Sequence, residues 1–360
     1  MIDLSLLADG GIGWLDASGP ASHLVLSTRV RLARNLRGRT FGVRNSARDR
    51  EEILDEVVAA AADSPGLAGA AVFRLDRLDS VDRELLHERH LVSKELAGLG
   101  RNDRVRIGAA LLVRDRLGAM VNEEDHLRLQ GVVSGFAPEA AYAEVDRLDG
   151  ELGQRLAFAF HPEFGYLTAC PTNVGTGLRA SVLIHLPGLV LTKEISKVLQ
   201  SLAQVGLTFR GLYGEGSEVV GNFFQLSNQT TLGKSEPELL DLLAKMVRQV
   251  IAYEEEARAV LLRDAPTVIE DKVWRAYGLL RFARALSFEE TMNLLSGVRL
   301  GVGLKLIPDV GVYALNKLLV HTQPAHLAAG RGLSTDDPTL PIRRAEYVRT
   351  VLQDEGRRAG

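Results

Sequence analysis

Arg29-Val30-Arg31-Leu32 is the stretch that most restricts how this chain can fold. Successive side chains in a strand point to opposite faces, so Val30 and Leu32 share one face while Arg29 and Arg31 share the other. The strand read over 23–32 therefore belongs in a sheet with one apolar face turned to a core. The other face has to tolerate guanidinium groups side by side. Three more arginines, Arg128, Arg179 and Arg210, lie on or beside strands read at 127–133, 178–186 and 207–213. Gathering five guanidiniums out of water is prohibitive unless a polyanion neutralises them.

Bulk charge does not supply that polyanion's identity. The 43 basic and 46 acidic residues of this 360-residue chain leave a net charge of −3, which argues against binding nucleic acid by overall charge. Only eight of the basic residues are lysine. Coding bias accounts for part of that, but arginine is also the better bidentate partner for phosphate. The single cysteine, Cys170, excludes an internal disulfide and a cysteine-cluster zinc site. No basic, then apolar, leader opens the sequence, so the cytoplasm is the expected compartment.

Hydrophobic periodicity divides the chain into two parts. Helices are read at 48–62 and 82–96, separated by Pro65-Gly66, and strands at 106–113, 117–122 and 127–133. Pro138 opens a helix running to about 158. Strands follow at 165–168, 178–186, 207–213 and 219–226, with a helix at 191–203. Beyond the polar loop 227–235, helices are read at 237–262, 268–285, 288–299, 312–319 and 343–352. The expected class is α+β, a mostly antiparallel sheet flanked by helices with a C-terminal helical domain. The expected division is 1–258 and 259–360.

Some candidate motifs have ordinary readings. Gly297–Gly303 has three glycines but no preceding strand, so it reads as helix punctuation. His87 and His90 share a helix face without a third ligand, and read as surface histidines. The acids Glu123, Glu124 and Asp125 end a strand, ahead of His126 and Arg128, and form either a solvated turn or carboxylates aimed into a cleft. Gly175-Thr176-Gly177 is a glycine-rich loop whose N–H groups could face phosphate, or a plain turn beside Cys170. In 209–215, Arg210 and Glu215 flank a glycine turn.

Taken together, five strand-borne arginines suit a nucleoside triphosphate with Mg²⁺, because phosphoryl transfer asks for charge stabilisation and in-line positioning. The segments STRVR at 27–31, NEEDHLR at 122–128, CPTNVGTGLRASV at 170–182 and RGLYGE at 210–215 resemble the phosphagen (guanidino) kinase superfamily. Within it, the chain resembles the bacterial protein arginine kinases. Only 26 residues precede Ser27, so the small helical domain of the free-creatine and free-arginine kinases has no counterpart, and extra helices follow 235. The phrases RLARN at 31–35, LGKSE at 232–236 and RRAEYVR at 343–349 also look like that subfamily.

This resemblance implies ATP with Mg²⁺ as cofactors, and Arg29, Arg31, Arg128, Arg179 and Arg210 on the ATP phosphates. It further implies nucleotide contacts along Ser27, Thr28, Asn173, Gly175, Thr176, Gly177, Ala180 and Ser181. Glu124 and Glu215 would hold the substrate guanidinium, with Glu124 the base. Glu123 would support them and Cys170 would lie alongside. The family's adenine-packing His falls at Leu183, with His185 two residues on and on the same strand face. An Arg-Asp-x-x-Arg-Ala motif that reads phosphoarginine becomes Leu340-Pro341-Ile342-Arg343-Arg344-Ala345, which weakens or removes feedback at Arg344. Also implied are protein substrates with exposed arginine, a zinc-finger activator, a heat-shock repressor, a Clp unfoldase-protease and a homodimer. A kinase for a free guanidino compound and a non-catalytic phosphoarginine-binding adaptor are the alternatives.

Overall fold

A computed structural model describes Asp3 and residues 12–99, 104–212 and 219–359. The central strand is β1 (Val25–Arg34), the alternating segment singled out above. The chain then forms α1 (Ala47–Ala62), β2 (Ala71–Arg74), α2 (Ser80–Glu88), β3 (Ala110–Arg114), β4 (Leu117–Val121) and β5 (Leu127–Ser134). Next come α3 (Pro138–Gly153), the small hairpin β6 (Phe160–His161) and β7 (Gly165–Tyr166), then β8 (Leu178–His185). After it follow α4 (Pro187–Leu191), α5 (Ile195–Gln204), β9 (Leu207–Arg210) and β10 (Phe223–Asn228). Six helices finish the chain: α6 (Glu236–Asp264), α7 (Pro266–Phe282), α8 (Phe288–Gly303), α9 (Val312–His321), α10 (Pro324–Ala328) and α11 (Leu340–Ala359).

Eight strands form one sheet in the order β2-β3-β4-β5-β1-β8-β10-β9, and every pair is antiparallel. The class expected from sequence is therefore the class observed. One sheet face carries Val30, Leu32, Leu127, Leu129, Ala180, Val182 and Ile184 into a core shared with α1, α3 and α6. Helix starts follow local chemistry: Ser46 and Asp49 make a capping box on α1, Ser235 and Glu238 make another on α6, and Pro138 occupies the first turn of α3.

Several boundaries moved for identifiable reasons. The helix expected over 82–96 is only Ser80–Glu88, since Asp79 caps it early and His90 takes a left-handed φ of 60° that ends it. The strand expected from 219 starts at Phe223, because Gly221 and Asn222 both have positive φ. Edge strand β2 and the short helices α4 and α10 lacked a readable period. Helix α6 runs unbroken through position 258 and meets α7 at Ala265. A second core joins α7, α8, α9 and α11 to Leu26, Leu183, Leu212 and Phe223, so the helical part packs directly on one end of the sheet.

Candidate active site

Strand register assembles the arginines. Directly opposed residues of an antiparallel pair share a face. Arg31 is opposite Arg179 on β8 and Gln130 on β5, Arg29 is opposite Ser181, and Ala33 is opposite Arg128. Gln225 of β10 is opposite Leu183 on one side and Arg210 of β9 on the other. All five arginines thus leave the face opposite the aliphatic core, and all five line one cleft of about 1140 Å³.

Their electrostatics are those of a site built for an anion. Burial, followed by repulsion from Arg179 and Arg128, lowers Arg29 to about 10. Arg31 falls well below the usual arginine value through burial and then Arg29, Arg128 and Arg179, with Glu123 opposing only in part. Arg128 moves up: burial works against it, but Glu123, Asp125, Glu124 and Glu95 prevail. Its Nη1 lies 2.6 Å from Glu123 Oε2, and its Nη2 lies 3.3 Å from Glu124 Oε2. Arg128 is thus the residue that joins the cationic floor to the acids. Arg29 and Arg179 are steered by Gln225 Oε1 at 3.4 Å and Ser227 Oγ at 3.2 Å.

The acid turn after β4 is held firmly. Asn122 has φ 59°, and its Nδ2 donates to the carbonyls of Arg50 and Gly108 at 2.8 Å each. Asp125 Oδ1 accepts from Asn35 Nδ2 at 2.6 Å and from Ala169 N–H at 2.7 Å, which fixes the segment leading into Cys170. The N–H of Leu36 points at His126 Nδ1, 3.0 Å away, so that nitrogen is the bare acceptor and Nε2 carries the proton donated to Thr40 O. Burial keeps His126 below the usual histidine value, consistent with the neutral ring. Asn35, Asp125 and His126 therefore brace the segments that bring Thr40 and Ala169 to the cleft; the sequence displayed Asp125 and His126 only as neighbours of the glutamates, and Asn35 only within RLARN.

Glu124 itself stays half-exposed at the cleft. Burial pushes its carboxyl up, Asp125, Glu123 and Glu95 add to that, and Arg128 opposes it. A carboxylate raised in this way is a better proton acceptor. Cys170 also lines the cleft, its Sγ 3.0 Å from Thr172 Oγ1. Glu215, the second glutamate of the sequence reading, lies outside the described residues.

Other expected site residues divide into two groups. Asn173 and Gly177 line the cleft, and Ser27 and Ser181 line a water-sized pocket that continues from it behind Arg29. Thr28 and Ala180 point into the opposite face; Thr28 Oγ1 donates to Gly135 O at 2.7 Å. The glycine loop is spent on the protein itself. Gly175 N–H donates to Tyr166 O, and a Cβ at Gly175 would meet Thr231 O at 2.7 Å. Thr176 O accepts from Arg34 Nη1 at 2.9 Å. These contacts pack the loop beside the cleft, with Gly177 at its edge, and Gly175 N–H is already engaged within the protein.

His185 does lie on the arginine face, as expected, but at the end covered by α8. It is fully buried, with its ring stacked on Phe223 at 4.7 Å and Nε2 2.8 Å from Ser296 Oγ, and it is not brought to the cleft. Arg344 is buried too, donating to Thr322 O at 2.6 Å and Leu286 O at 2.9 Å. Conversely, His87 and His90 are not surface histidines. They line the cleft near Arg29, and burial holds His87 below, and His90 well below, the usual histidine value. Helical spacing showed their common face, but nothing local showed that this face turns inward. Among the described residues no group of three or more His, Cys, Asp or Glu could hold a metal ion, and no helix is long and apolar enough to cross a membrane.

Comparison with known proteins adds independent observations. Residues 52–257 match the family described as ATP:guanido phosphotransferase, C-terminal catalytic domain. Residues 266–359 match the Protein-arginine kinase McsB C-terminal domain. A Protein-arginine kinase of Pelotomaculum thermopropionicum is 44% identical over 339 residues, covering 93% of this chain and 94% of that protein. Another, from Symbiobacterium thermophilum, is 44% identical over 344 residues, covering 94% and 96%. Among solved structures, the duplicated taurocyamine kinase of Schistosoma mansoni is similar with TM-score 0.60 and 27% identity, over 71% of this chain and 35% of that duplicated one. A lombricine kinase structure is similar in fold, with TM-score 0.58 over 71% of each chain at 24% identity.

Proposed function

The chain belongs to the ATP:guanido phosphotransferase family, a phosphotransferase enzyme, and from that premise we propose that it moves the γ-phosphoryl group of ATP onto arginine side chains of proteins. One observation carries this reading: Arg128 ties a floor of five arginines to Glu124 within a single cleft. The arginines neutralise the polyphosphate and the charge that develops on the moving phosphoryl group. Glu124 holds the incoming guanidinium through charge-assisted hydrogen bonds and takes its proton as the N–P bond forms. The proton has to leave because a guanidinium, with pKa above ~12, has no nucleophilic lone pair to spare. Glu215 is proposed as the second carboxylate on the guanidinium. Mg²⁺ would come with the nucleotide's phosphates and neutralise part of their charge; this chain's own contribution is the arginine floor.

A protein substrate, as against a free guanidine, is supported by the names of the full-length relatives and by the breadth of the cleft. Incubation with ATP, Mg²⁺ and an arginine-rich protein is expected to give an acid-labile phosphoramidate, detected by mass spectrometry under neutral conditions. Acid-stable phosphoserine alone would overturn the reading, and strong competition by free arginine would shift it to a small guanidine.

The division of labour we propose is a catalytic part up to about Ala265 and a helical part beyond it, in line with family matches that end at 257 and resume at 266. Cytoplasmic residence, marking of proteins for a Clp-type protease, a stress-response role, a zinc-finger activator and a heat-shock repressor substrate belong to the same reading and rest on the family resemblance. A homodimer has support from α7. Val268, Leu279 and Phe282 fall on one helical face and are 66%, 50% and 71% exposed. Solution scattering is expected to give a dimer mass, and Phe282→Asp to give a folded monomer; a wild-type monomer removes this element.

A further inference from the structure

The cleft wall formed by α2 packs through Leu85 and Leu86 against Ala325 of the helical part, and one buried acid adds a directional tie there. Helix α2 turns His87 toward the cleft, and His90, two residues past its end, lines the cleft too. Glu88, between them, faces the other way and is 3% exposed. Its Oε1 accepts the N–H of Ala325 at 2.9 Å, and its Oε2 accepts the N–H of His326 at 3.0 Å. Oε2 is also 2.7 Å from His326 Nδ1. All three contacts are on α10, 237 or 238 residues away in sequence.

The cleft side of the same turn is tied as well. Gln130 Nε2 donates to Leu91 O at 3.0 Å, and Gln130 is the direct cross-strand neighbour of Arg31. The His90 ring meets Trp14 edge-on at 5.4 Å. A continuous path of bonds and contacts therefore runs from α10 through Glu88 and the end of α2 to the arginine floor. Surface capping of α2 requires none of this, since Asp79 already caps its start.

We propose that Glu88 is a positioning residue that sets the α2 wall of the nucleotide cleft from α10, and so makes nucleotide binding depend on the helical part. This deepens the functional reading above and rests on the cleft being the nucleotide site. Burial pushes the Glu88 carboxyl up to about 8, against the pull of its backbone donors, Arg344 and Arg89. A carboxyl retained out of water against that penalty suits a specific positional role better than a general packing one.

The test uses the full-length enzyme. Glu88→Ala is expected to raise the dissociation constant for ATP roughly tenfold or more, since small misplacements of binding groups are costly, and to leave the KM for the arginine-bearing substrate within about twofold. Glu88→Gln, which keeps one acceptor for Ala325 but sets an amide NH2 against the His326 N–H, is expected to restore part of the affinity. Trp14 reports the wall directly once Trp274, the other tryptophan, is replaced by Phe. In that background Glu88→Ala is expected to change Trp14 emission while far-ultraviolet dichroism stays native. His326→Ala breaks the contact from the other side, and its effect on ATP binding is expected to be non-additive with Glu88→Ala. Leu295→Ala, a cavity in the helical core, lowers Tm without touching α2 and is expected to leave ATP affinity unchanged.

Unchanged ATP affinity in both Glu88→Ala and His326→Ala, or an equal loss in Leu295→Ala, would overturn the coupling alone. Failure of the wild-type enzyme to bind ATP would overturn the cleft reading and the coupling with it.

Discussion

Glu124→Gln is expected to lower the transfer rate by about three orders of magnitude, within the ~10²–10⁴ range typical of general bases, while leaving ATP affinity within a few-fold. The amide keeps the size and one acceptor of the carboxylate but cannot take a proton. Nucleotide affinity survives because Arg128 keeps Glu123 as its closer partner, with Nη1 2.6 Å from Oε2. The pH profile gives a second check. Burial and the neighbouring acids raise Glu124, so its basic form appears only as pH climbs through a value above the ordinary glutamate ~4.3. The wild-type rate is therefore expected to rise along an acid limb shifted upward, and the residual rate of the Gln variant to lack that limb. A Gln variant with near-normal turnover would remove the proton-acceptor role.

Arg31→Met is expected to lower transfer by about two to three orders of magnitude and yet leave the nucleotide-free protein at least as stable as the wild type. Arg31 is partly buried among Arg29, Arg128 and Arg179, and its cation is disfavoured in the folded state by burial and by all three. A group whose charged form is disfavoured on folding subtracts stability at neutral pH, and that subtraction is relieved only when pH rises far enough to discharge it. Replacing it with an apolar side chain of similar length removes the penalty. Transfer suffers because one fixed donor facing the phosphates is worth ~10²–10³ in rate. The thermal shift produced by ATP should also shrink in the variant, since less charge is neutralised on binding. A large drop in Tm without nucleotide would show that Arg31 is a structural residue, against the anion-site account.

How far the site could be read in advance differs residue by residue. Arg29 and Arg31 declared themselves, because an alternating strand allows only two faces and the aliphatic partners claim one of them. Arg128 and Arg179 followed, since each sits on a strand whose period was clear. The glycine loop stayed open: positive φ at Gly175 and Gly177 reads the same in sequence whether the turn cradles an anion or packs against backbone. His87 and His90 misled, since a short amphipathic helix does not announce which of its faces turns toward a cleft. The α2 boundary itself failed because the helical period continues past the left-handed residue that stops the helix.

Sequence alone determined the α+β class, the antiparallel core strands, the apolar and cationic faces of β1 and the family, because each depends on local period or on short ordered motifs. Tertiary structure alone decided which ends of those faces are open. The same sheet face that presents Arg31 and Arg179 also carries His185, yet α8 closes over that end and leaves the arginines in the cleft. It also decided that Glu88 meets α10. Contacts between residues more than two hundred positions apart leave no periodic trace in a chain, because they depend on how whole elements dock.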